Sequence, residues 1–383
     1  MARLEDVCIQ ITDGSHNPPT SVEKSKYLMI SSKNIDDDCI TLNNPRYLSK
    51  EDFDTENKRT NIEPGDLLMT IVGTIGRVAI MPNSFTKICV QRSVAVLKPK
   101  SDIVYNRFLM YYLQSMRPYL ERESRGVAQK GIYLKQIGSL TIFLPPLDEQ
   151  RKIAAVLDKV SDLIAKRRQQ LDKLDMLVKA RFVEMFGAFP KDIELSEVAT
   201  ITGGLTKNSN RKNLPLKLPY LRVANVAFNS VDVSEILEIG LTEEERKKTL
   251  LQKGDLLFVE GNGSPDQIGR VAVWNNQITP CVHQNHLIKA RFDNSIVLPA
   301  FALHYYMNSE GRQQIREKAV STSGLYTLSV SKIESLVLPT PPMELQEQFS
   351  TFVEQTDKSK LSIQKSCEKL EALKKALMQQ YFG

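Results

Sequence analysis

The sequence repeats itself, and this internal repeat restricts the possible folds more than any other feature. Residues 62–68 (IEPGDLL) recur as residues 251–257 (LQKGDLL), and the Pro-Pro pair at 145–146 recurs at 341–342. The separation is 189 residues at the first match and 196 at the second. A separation that only grows along the chain indicates two homologous halves that differ by small loop insertions. The chain of 383 residues should therefore consist of two halves that meet near residue 188.

Each half begins with short segments of β type. The runs of apolar and β-branched residues in the first half are residues 67–72, 90–97 and 141–144. Turn residues separate these runs, which is typical of strands. One helical segment interrupts the strands of each copy, near residues 103–122 and 296–318. The patterns predict one α+β module at residues 1–145 and a second at 188–341.

Each half ends with a segment of different character. Residues 148–187 and 344–383 contain no proline, and a glycine occurs only at the last position of each. Apolar residues recur there about every 3.5 positions, which is the repeat of a coiled coil. A helix of about 40 residues is roughly 60 Å long, longer than a module of this size is wide. We therefore expect two long helices, at residues 146–187 and 342–383, that pair with each other.

The expected fold class is α+β. Two homologous modules would be separated by two long antiparallel helices forming a coiled coil, in a pseudo-twofold dumbbell. The alternative is that each helix packs only on its own module. Two similar heads suit a bipartite target such as duplex DNA, in which half-sites repeat with helical phase. Because the loops of the two heads have diverged, the two half-sites should differ in sequence.

Composition limits the possible environments and partners. The net charge of +6 and the isoelectric point of about 8.9 permit a nucleic-acid partner without requiring one. No apolar run is long enough to span a membrane, and the acidic N-terminus does not fit a signal peptide. The five cysteines include no C-x-x-C pair and are expected to be reduced thiols. These features predict a cytoplasmic protein.

Three blocks of sequence resemble the specificity subunit of type I restriction–modification systems. They are residues 4–19 (LEDVCIQITDGSHNPP), residues 65–77 and residues 144–153 (LPPLDEQRKI). The third block departs from the pattern in the second half, where residues 341–346 read PPMELQ. The resemblance covers the whole chain, as two target-recognition domains (1–145 and 188–341) that alternate with two conserved spacer helices (146–187 and 342–383).

This resemblance implies a subunit without catalytic activity or a cofactor of its own. It would bind double-stranded DNA at an interrupted, asymmetric site, each target-recognition domain reading one half. It would also bind two modification (M) subunits, which methylate adenine N6 with S-adenosylmethionine. Two restriction (R) subunits can join such a complex and add ATP- and Mg-dependent translocation and cleavage. The spacer helices would dock the M subunits.

A self-sufficient methyltransferase or nuclease is the main alternative. Asn17-Pro18-Pro19 resembles the adenine-binding signature of amino-methyltransferases, but Thr20 follows where an aromatic residue would stack on a flipped base. Such a methyltransferase would also need a cofactor loop, which the sequence lacks. The third alternative is a coiled-coil scaffold that does not bind DNA; the basic isoelectric point and the arginines in the loops argue against it.

Patterns that could form nuclease or metal sites are incomplete. The E-x-K spacing of metal-dependent nucleases occurs at residues 56–58 and 245–247. Upstream acids, which such a site needs, are present at residues 36–38 but absent from the matching residues 227–229. Cys281, His283 and His286 supply three zinc ligands at most, and the first half has no equivalent histidines. We expect neither a metal nor catalysis in this chain.

Matched turns in the two halves are the best candidates for DNA contact. Glycines in these turns allow the backbone to approach phosphates, and a neighbouring arginine can reach a guanine edge. The residues expected to contact DNA are Ser15, His16, Asn17, Lys33, Asn34, Thr74, Arg77, Gln91, Arg92, Thr206, Lys207, Asn208, Asn225, Asn262, Arg270, Gln284 and Asn285. Residues that are the same in both halves should contact the DNA backbone and position the protein on it, and residues that differ should read the base sequence.

A second set of candidates lies on the predicted helices. Several apolar residues fall outside the coiled-coil stripe, and helices paired only with each other leave much of their surface uncovered. The residues expected to contact partner subunits are Leu163, Leu177, Phe182, Phe352, Leu361 and Leu373.

Overall fold

A computed structural model describes residues 1–124, 131–322 and 324–383 of the chain. These residues form two compact units. The first unit comprises Met1–Arg168 and Lys365–Gly383, and the second comprises Gln169–Gln364. Among the described helices, none combines the length and the apolar character that crossing a membrane requires.

The first half folds as an α+β module. Its helices are α1 (Leu4–Val7), α2 (Lys50–Thr60), α3 (Asn106–Ser115), α4 (Arg117–Glu123) and α5 (Leu134–Gly138), followed by the long helix α6 (Leu147–Phe186). Its strands are β1 (Ala2–Arg3), β2 (Cys8–Asp13), β3 (Tyr27–Ile30), β4 (Ile35–Asp36), β5 (Cys39–Ile40), β6 (Arg46–Leu48), β7 (Leu67–Thr70), β8 (Val78–Ile80), β9 (Ile88–Val90), β10 (Val94–Pro99) and β11 (Thr141–Ile142).

The second half contains a matching set of elements. Its helices are α7 (Leu195–Val198), α8 (Glu243–Thr249), α9 (Pro299–Met307), α10 (Ser309–Lys318), α11 (Val330–Glu334) and the long helix α12 (Met343–Phe382). Its strands are β12 (Ile193–Glu194), β13 (Ala199–Gly203), β14 (Leu216–Leu221), β15 (Val226–Ala227), β16 (Ser230–Val231), β17 (Leu237–Leu241), β18 (Leu256–Val259), β19 (Gly261–Asn262), β20 (Val271–Val273), β21 (Val282–His283), β22 (Leu287–Phe292), β23 (Val320–Thr322), β24 (Leu325–Thr327) and β25 (Val337–Leu338).

The two halves share one sheet topology. A four-stranded antiparallel sheet has the order β2-β10-β7-β8 in the first half and β13-β22-β18-β20 in the second. A three-stranded sheet has the order β6-β3-β9 and β17-β14-β21, with the last pair parallel in each case. The repeat predicted from the sequence is therefore a repeat of the fold.

The central strands β7 and β10 of the four-stranded sheet are buried on both faces, which explains their apolar runs. Leu67 and Met69 of β7 join the large core formed with α3 and the long helices, whereas Leu68 joins a second core on the opposite face. Successive side chains of a strand point to opposite faces, so a strand between two cores carries apolar residues on both of its faces.

Three predicted segments are each divided in the structure. The helical segment at 103–122 is α3 followed by α4, because Pro118 has no amide hydrogen to continue the helix and instead lies in the first turn of α4. In the second half, Asn308 starts α10 by accepting a hydrogen bond from the amide of Gly311 (2.9 Å). The strand predicted at 90–97 is interrupted at residues 91–93 by a turn in which the Val94 amide donates to the Gln91 carbonyl (3.0 Å).

The long helices are present as predicted, each 40 residues long. In the first unit, Phe382 of α12 packs against the buried cluster that contains Leu157 of α6, and Arg168 pairs with Glu371 (2.8 Å). Since Arg168 follows Leu157 while Glu371 precedes Phe382, the two segments run antiparallel.

The second unit contains the other segments of the same helices. Lys360 pairs with Asp175 (2.6 Å), and the rings of Phe182 and Phe349 lie 5.3 Å apart. These segments are antiparallel as well. Each unit thus takes one helical segment from each half of the sequence, so the compact units do not coincide with the four predicted segments, whose boundaries stay a prediction.

Candidate nucleic-acid interface

In the first unit, the backbone at Gly14 passes directly against the backbone at Val90, and this crossing brings the first group of candidates together. A Cβ atom added to Gly14 would lie 1.9 Å from the carbonyl oxygen of Val90, so only glycine fits here. Beyond the crossing, the Ser15 amide donates to Val90 (2.9 Å), and the Arg92 amide donates to the Ser15 carbonyl (2.8 Å). The turn that begins at Ser15 therefore lies against the turn at Gln91 and Arg92.

The second unit has the same crossing. A Cβ atom on Gly204 would lie 2.2 Å from the His283 carbonyl oxygen. The Leu205 amide donates to that carbonyl (2.8 Å), and the Asn285 amide donates to Leu205 (3.0 Å). The candidates Thr206, Lys207 and Asn208 thus begin beside Gln284 and Asn285.

A short 3₁₀ turn adds a third loop to each cluster. The turn Ser32–Asn34 follows β3, and the Ser32 amide donates to the Ser93 hydroxyl (3.1 Å). The turn Val223–Asn225 follows β14 in the second unit, where the Gln284 amide donates to Leu221 (2.9 Å). In each unit the structure thus brings together loops that are far apart in the sequence.

Most of the candidate side chains are accessible. The exposed candidates are His16, Asn17, Lys33, Thr74, Arg92, Thr206, Lys207 and Asn208. The half-buried candidates are Ser15, Arg77, Gln91, Asn262, Arg270, Gln284 and Asn285. Polar and basic groups on adjacent loops are what phosphate and base-edge contacts require.

Asn34 and Asn225 are corrections to the predicted set. Both side chains are only 4% exposed. The Asn34 amide nitrogen donates to the carbonyls of Thr41 (3.2 Å) and Asn43 (2.9 Å), and Asn225 donates to two matching carbonyls. Their side-chain oxygens accept from the backbone. Because these amides are used to shape the loops, the prediction that they contact DNA is wrong.

Exposed histidines are part of both clusters. His16 Nε2 lies 2.8 Å from a carboxylate oxygen of Asp13, which also pairs with Arg59. His286 Nδ1 lies 2.6 Å from Glu260. His286 matches Ser93 in the repeat and follows Asn285 directly, and differing neighbours at such matched positions are expected to read the sequence.

The acids considered for a nuclease have other roles in the structure. Asp36 and Asp37 pair with Arg77 and Arg117, respectively. Asp38 accepts hydrogen bonds from Gln114 and Lys374. The hairpin that carries these acids therefore has its negative charge balanced by neighbouring basic groups.

Glu245, from the E-x-K segment of the second unit, is similarly engaged. Two hydrogen bonds from the Arg211 guanidinium (2.8 and 2.9 Å) hold the pKa of this carboxyl below its usual range. The Glu245 carboxylate also accepts from the Thr242 amide at the start of α8. Among the described residues, no group of three or more potential ligands is arranged to hold a metal ion.

The cysteine and histidines considered for zinc do not face one another as ligands. His283 is fully buried, and its Nδ1 donates to the Leu287 carbonyl (2.8 Å). Burial lowers the pKa of His283 to about 4, and the charge of Lys289 contributes to this shift. Burial also raises the pKa of the Cys281 thiol to about 12. His283 and Cys281 are therefore neutral members of the core.

The candidates on the long helices fall into two classes. Leu163, Leu177, Leu361 and Leu373 are 45–52% exposed. Phe182 is only 3% exposed, because its ring packs against Phe301 and Phe349, and Phe352 is half-buried against the same core. The prediction that Phe182 contacts a partner is therefore wrong: it stabilises the second unit.

The structure adds apolar residues that were not predicted from the sequence. Met176 and Val183 of α6 are 59% and 58% exposed. Met176 directly precedes Leu177, and Val183 follows Met176 by about two helical turns. In the sequence, these two residues could have been identified as contact candidates because they are apolar and lie close to the predicted contact Leu177.

Comparison with known proteins identifies the family. The model of the family described as "Type I restriction modification DNA specificity domain" matches residues 3–175 and 190–375. A putative type I restriction enzyme MjaX specificity subunit from Methanocaldococcus jannaschii is 33% identical over 118 residues, or 31% of this chain and 27% of that protein. The type I restriction enzyme EcoKI specificity subunit from Escherichia coli is 24% identical over 282 residues, or 68% of this chain and 60% of that protein.

A further relative is matched over more of its length. The type I restriction enzyme MjaIX specificity subunit, also from M. jannaschii, is 26% identical over 344 residues, or 82% of this chain and 76% of that protein. The chain therefore spans less than two thirds of the first two relatives but about three quarters of the third.

Solved structures share the fold. The crystal structure of a type I restriction–modification S subunit from M. genitalium aligns with a TM-score of 0.53 at 15% identity, covering 100% of this chain and 95% of that one. A chain from a structure of complex assembly and conformational transition in a type I system aligns with a TM-score of 0.57 at 16% identity, covering 100% and 96%. With two matches of the family model and two copies of one sheet topology, the chain belongs to the family of type I restriction modification DNA specificity domains.

Proposed function

We propose that this chain is the DNA-recognition subunit of a type I restriction–modification complex. The observation that carries the proposal is the pair of matched loop clusters. Both clusters form around the same glycine crossing, at Gly14 and at Gly204, yet they present different side chains. Shared scaffolds with different loops suit the reading of two different half-sites. The clusters' exposed Lys33, Arg92 and Lys207 suit contact with a phosphate backbone.

In this proposal the chain recognises DNA and leaves catalysis to its partners. The acids that a nuclease would use are committed to ion pairs, as at Asp36 and Asp37. Adenine-N6 methylation would come from M subunits that carry S-adenosylmethionine. Any translocation and cleavage would come from R subunits that use ATP and Mg.

The exposed leucines of the long helices are the proposed contacts for partner subunits. The first unit exposes Leu163 and Leu373, and the second unit exposes Leu177 and Leu361. An apolar surface that the chain leaves uncovered is typical of a protein–protein contact. One such pair in each unit supports the binding of two M subunits, and two R subunits can join the same complex.

The test is single-molecule methylation sequencing of DNA from a host that expresses this chain with its methyltransferase. The control host expresses the methyltransferase alone. We expect a new interrupted, asymmetric motif with N6-methyladenine in both halves. Soluble, associated proteins that produce no motif would favour the scaffold hypothesis, and methylation by this chain alone would favour the enzyme hypothesis.

Point variants test the assignment of the clusters. Arg92→Ala should relax selectivity in one half of the motif, and Asn285→Ala should relax it in the other half only. Lys179→Ala is the control, because this exposed lysine lies on a long helix outside both clusters. Equal effects of both cluster variants on both halves would contradict the assignment.

A further inference from the structure

Arg77 and Arg270 occupy the same place in the two halves but have different neighbours. Each arginine follows a glycine with positive φ, Gly76 or Gly269, and directly precedes a strand, β8 or β20. In the first unit, Arg77 Nη1 donates to Asp36 Oδ1 (2.7 Å). The Arg77 guanidinium thus has one edge bound to a carboxylate.

Arg270 lacks this carboxylate. Its Nη2 donates to the Val223 carbonyl (3.4 Å), and its buried Nε has no hydrogen-bond partner in the part of the chain that the structure describes. Within residues 1–124, 131–322 and 324–383, no carboxylate forms an ion pair with Arg270. The reason is a difference in sequence, because the residue that matches Asp36 is Ala227.

The match between Asp36 and Ala227 rests on the local structure. Each residue ends the first strand of a hairpin whose strands are two residues long. Asp36 pairs with Cys39 in the first unit, and Ala227 pairs with Ser230 in the second. The turn residues Asp38 and Asn229 both adopt positive φ, 65° and 54°. The two hairpins therefore have the same backbone conformation, but the matched side chain is a carboxylate at Asp36 and a methyl group at Ala227.

The loop that precedes each arginine is also held in the same way. Arg117 donates to the Gly76 carbonyl through Nε (3.1 Å) and Nη2 (3.0 Å). Arg312 donates to the Gly269 carbonyl through Nη1 (2.9 Å). Equivalent contacts thus hold the loops at Gly76 and Gly269 in the same shape. The two halves differ instead in the charge that faces the side chain of Arg77 or Arg270.

We propose that Asp36 is a specificity-determining residue of the first half, acting through Arg77. This inference rests on the proposed function. The carboxylate directs the guanidinium and offsets its charge, so Arg77 presents one orientation to a base edge and contributes little to phosphate binding. Arg270 has no carboxylate partner among the described residues and keeps its full charge, so it contributes to phosphate binding in the second half-site.

The experiment exchanges the two residues in the full-length chain, in complex with its methyltransferase. The variants are Asp36→Ala and Ala227→Asp, and the DNA carries the motif found by methylation sequencing. The readouts are the slope of log affinity against log salt concentration and the tolerance of mismatches in each half-site. Thermal melting of each complex shows whether the variant is folded.

The two exchanges should act in opposite directions. Asp36→Ala frees Arg77 to bind a phosphate, so the salt slope should steepen by about 0.9 and the first half-site should tolerate more mismatches. Between about 50 and 200 mM salt, such a slope corresponds to about 3.5-fold more loss of affinity. Ala227→Asp should flatten the slope by a similar amount and sharpen selectivity in the second half-site.

A double variant tests whether Asp36 acts through Arg77. In an Arg77→Ala background, Asp36→Ala should leave the slope unchanged and alter selectivity by no more than about twofold, the usual limit for uncoupled sites. The same change in both backgrounds, or no change in either, would overturn the inference while leaving DNA recognition intact. A wild-type complex that binds no DNA would overturn the proposed function as well.

Discussion

The buried side-chain amides of Gln150 and Gln346 make the same three hydrogen bonds, each in its own unit. Gln150 accepts from the Tyr105 amide (2.8 Å) and donates to the carbonyls of Ile103 (3.1 Å) and Pro145 (2.9 Å). Gln346 makes the matching bonds to Leu298, Ile296 and Pro341, all at 2.9 Å. Each glutamine therefore fastens the first turn of a long helix to the loop before α3 or α9.

Replacing either glutamine by leucine should destabilise its unit. Gln150→Leu keeps a similar volume but leaves one buried amide and two carbonyls without partners, at a cost of about 1–3 kcal/mol each. We expect the free energy of unfolding to fall by at least about 3 kcal/mol, measured by urea unfolding. Gln348→Leu, at an exposed position two residues from Gln346, is the control. A loss no larger than that of the control would mean that these bonds are not needed.

This glutamine also illustrates what could be predicted from the sequence. The repeat predicted both modules and both long helices, because matched turns and an apolar stripe are local patterns. Residues 341–346 (PPMELQ) depart from residues 145–150 (PPLDEQ) in sequence, yet the glutamine is retained at the position that makes the buried contacts. The two copies of this motif are thus better compared by the contacts that each position makes than by residue identity alone.

Other features depended on tertiary contacts that no local pattern encodes. Asn34 and Asn225 look like surface polar residues in the sequence, but their amides satisfy carbonyls up to ten residues away. Phe182 falls outside the coiled-coil stripe of the sequence, yet its ring packs on Phe301 of the module as well as on Phe349 of the partner helix. The pairing of Arg77 with Asp36 spans 41 residues. The sequence therefore located the loops of the candidate interface better than its individual side chains.

The two glycine crossings give a second prediction. Gly14→Ala would place a methyl group 1.9 Å from the Val90 carbonyl oxygen, so the turn that begins at Ser15 must shift. We expect a loss of stability of about 1–3 kcal/mol, as for overpacked sites, and loss of selectivity in the first half-site only. Gly131→Ala is the matched control in the same unit, because its nearest neighbour would lie at an ordinary 3.5 Å. Methylation sequencing of both variants would show whether the crossing positions the reading loops.

A third prediction concerns pH. Burial lowers the pKa of His283 to about 4, whereas an unfolded histidine titrates near 6.5. Between these values the unfolded chain binds a proton that the folded chain does not, so stability falls as the pH is lowered from about 6.5 to about 4. The expected slope is up to about 1.4 kcal/mol per pH unit from this group.

Thermal melting as a function of pH tests the assignment. His283→Asn, which can retain a donor to the Leu287 carbonyl, should reduce the pH dependence in this range. His304, whose pKa burial also lowers to about 4, should retain its own contribution. His16→Asn, at an exposed position in the first unit, is the control. An unchanged pH profile in His283→Asn would show that this imidazole is not the titrating group.

The last prediction separates partner binding from folding on one helix. Leu177 of α6 is 49% exposed, whereas Phe182, five residues later, is 3% exposed against Phe301 and Phe349. Leu177→Lys should leave the melting temperature unchanged and weaken association with the methyltransferase by about tenfold or more, since a charge would replace an apolar contact in a desolvated surface. Phe182→Ala should instead lower the stability of the second unit by about 3–5 kcal/mol, as for a large core truncation.

Calorimetric titration of the methyltransferase into each variant, together with melting curves, distinguishes the two effects. Lys179→Ala provides a control at an exposed polar position on the same helix. If Leu177→Lys binds the methyltransferase as tightly as the wild type, the exposed leucines of the second unit do not form the docking surface. The matching test in the first unit is Leu163→Lys, because Leu163 is 45% exposed on α6 and belongs to the other compact unit. If each unit docks one M subunit, each leucine variant should halve the number of M subunits bound, and the pair should abolish binding.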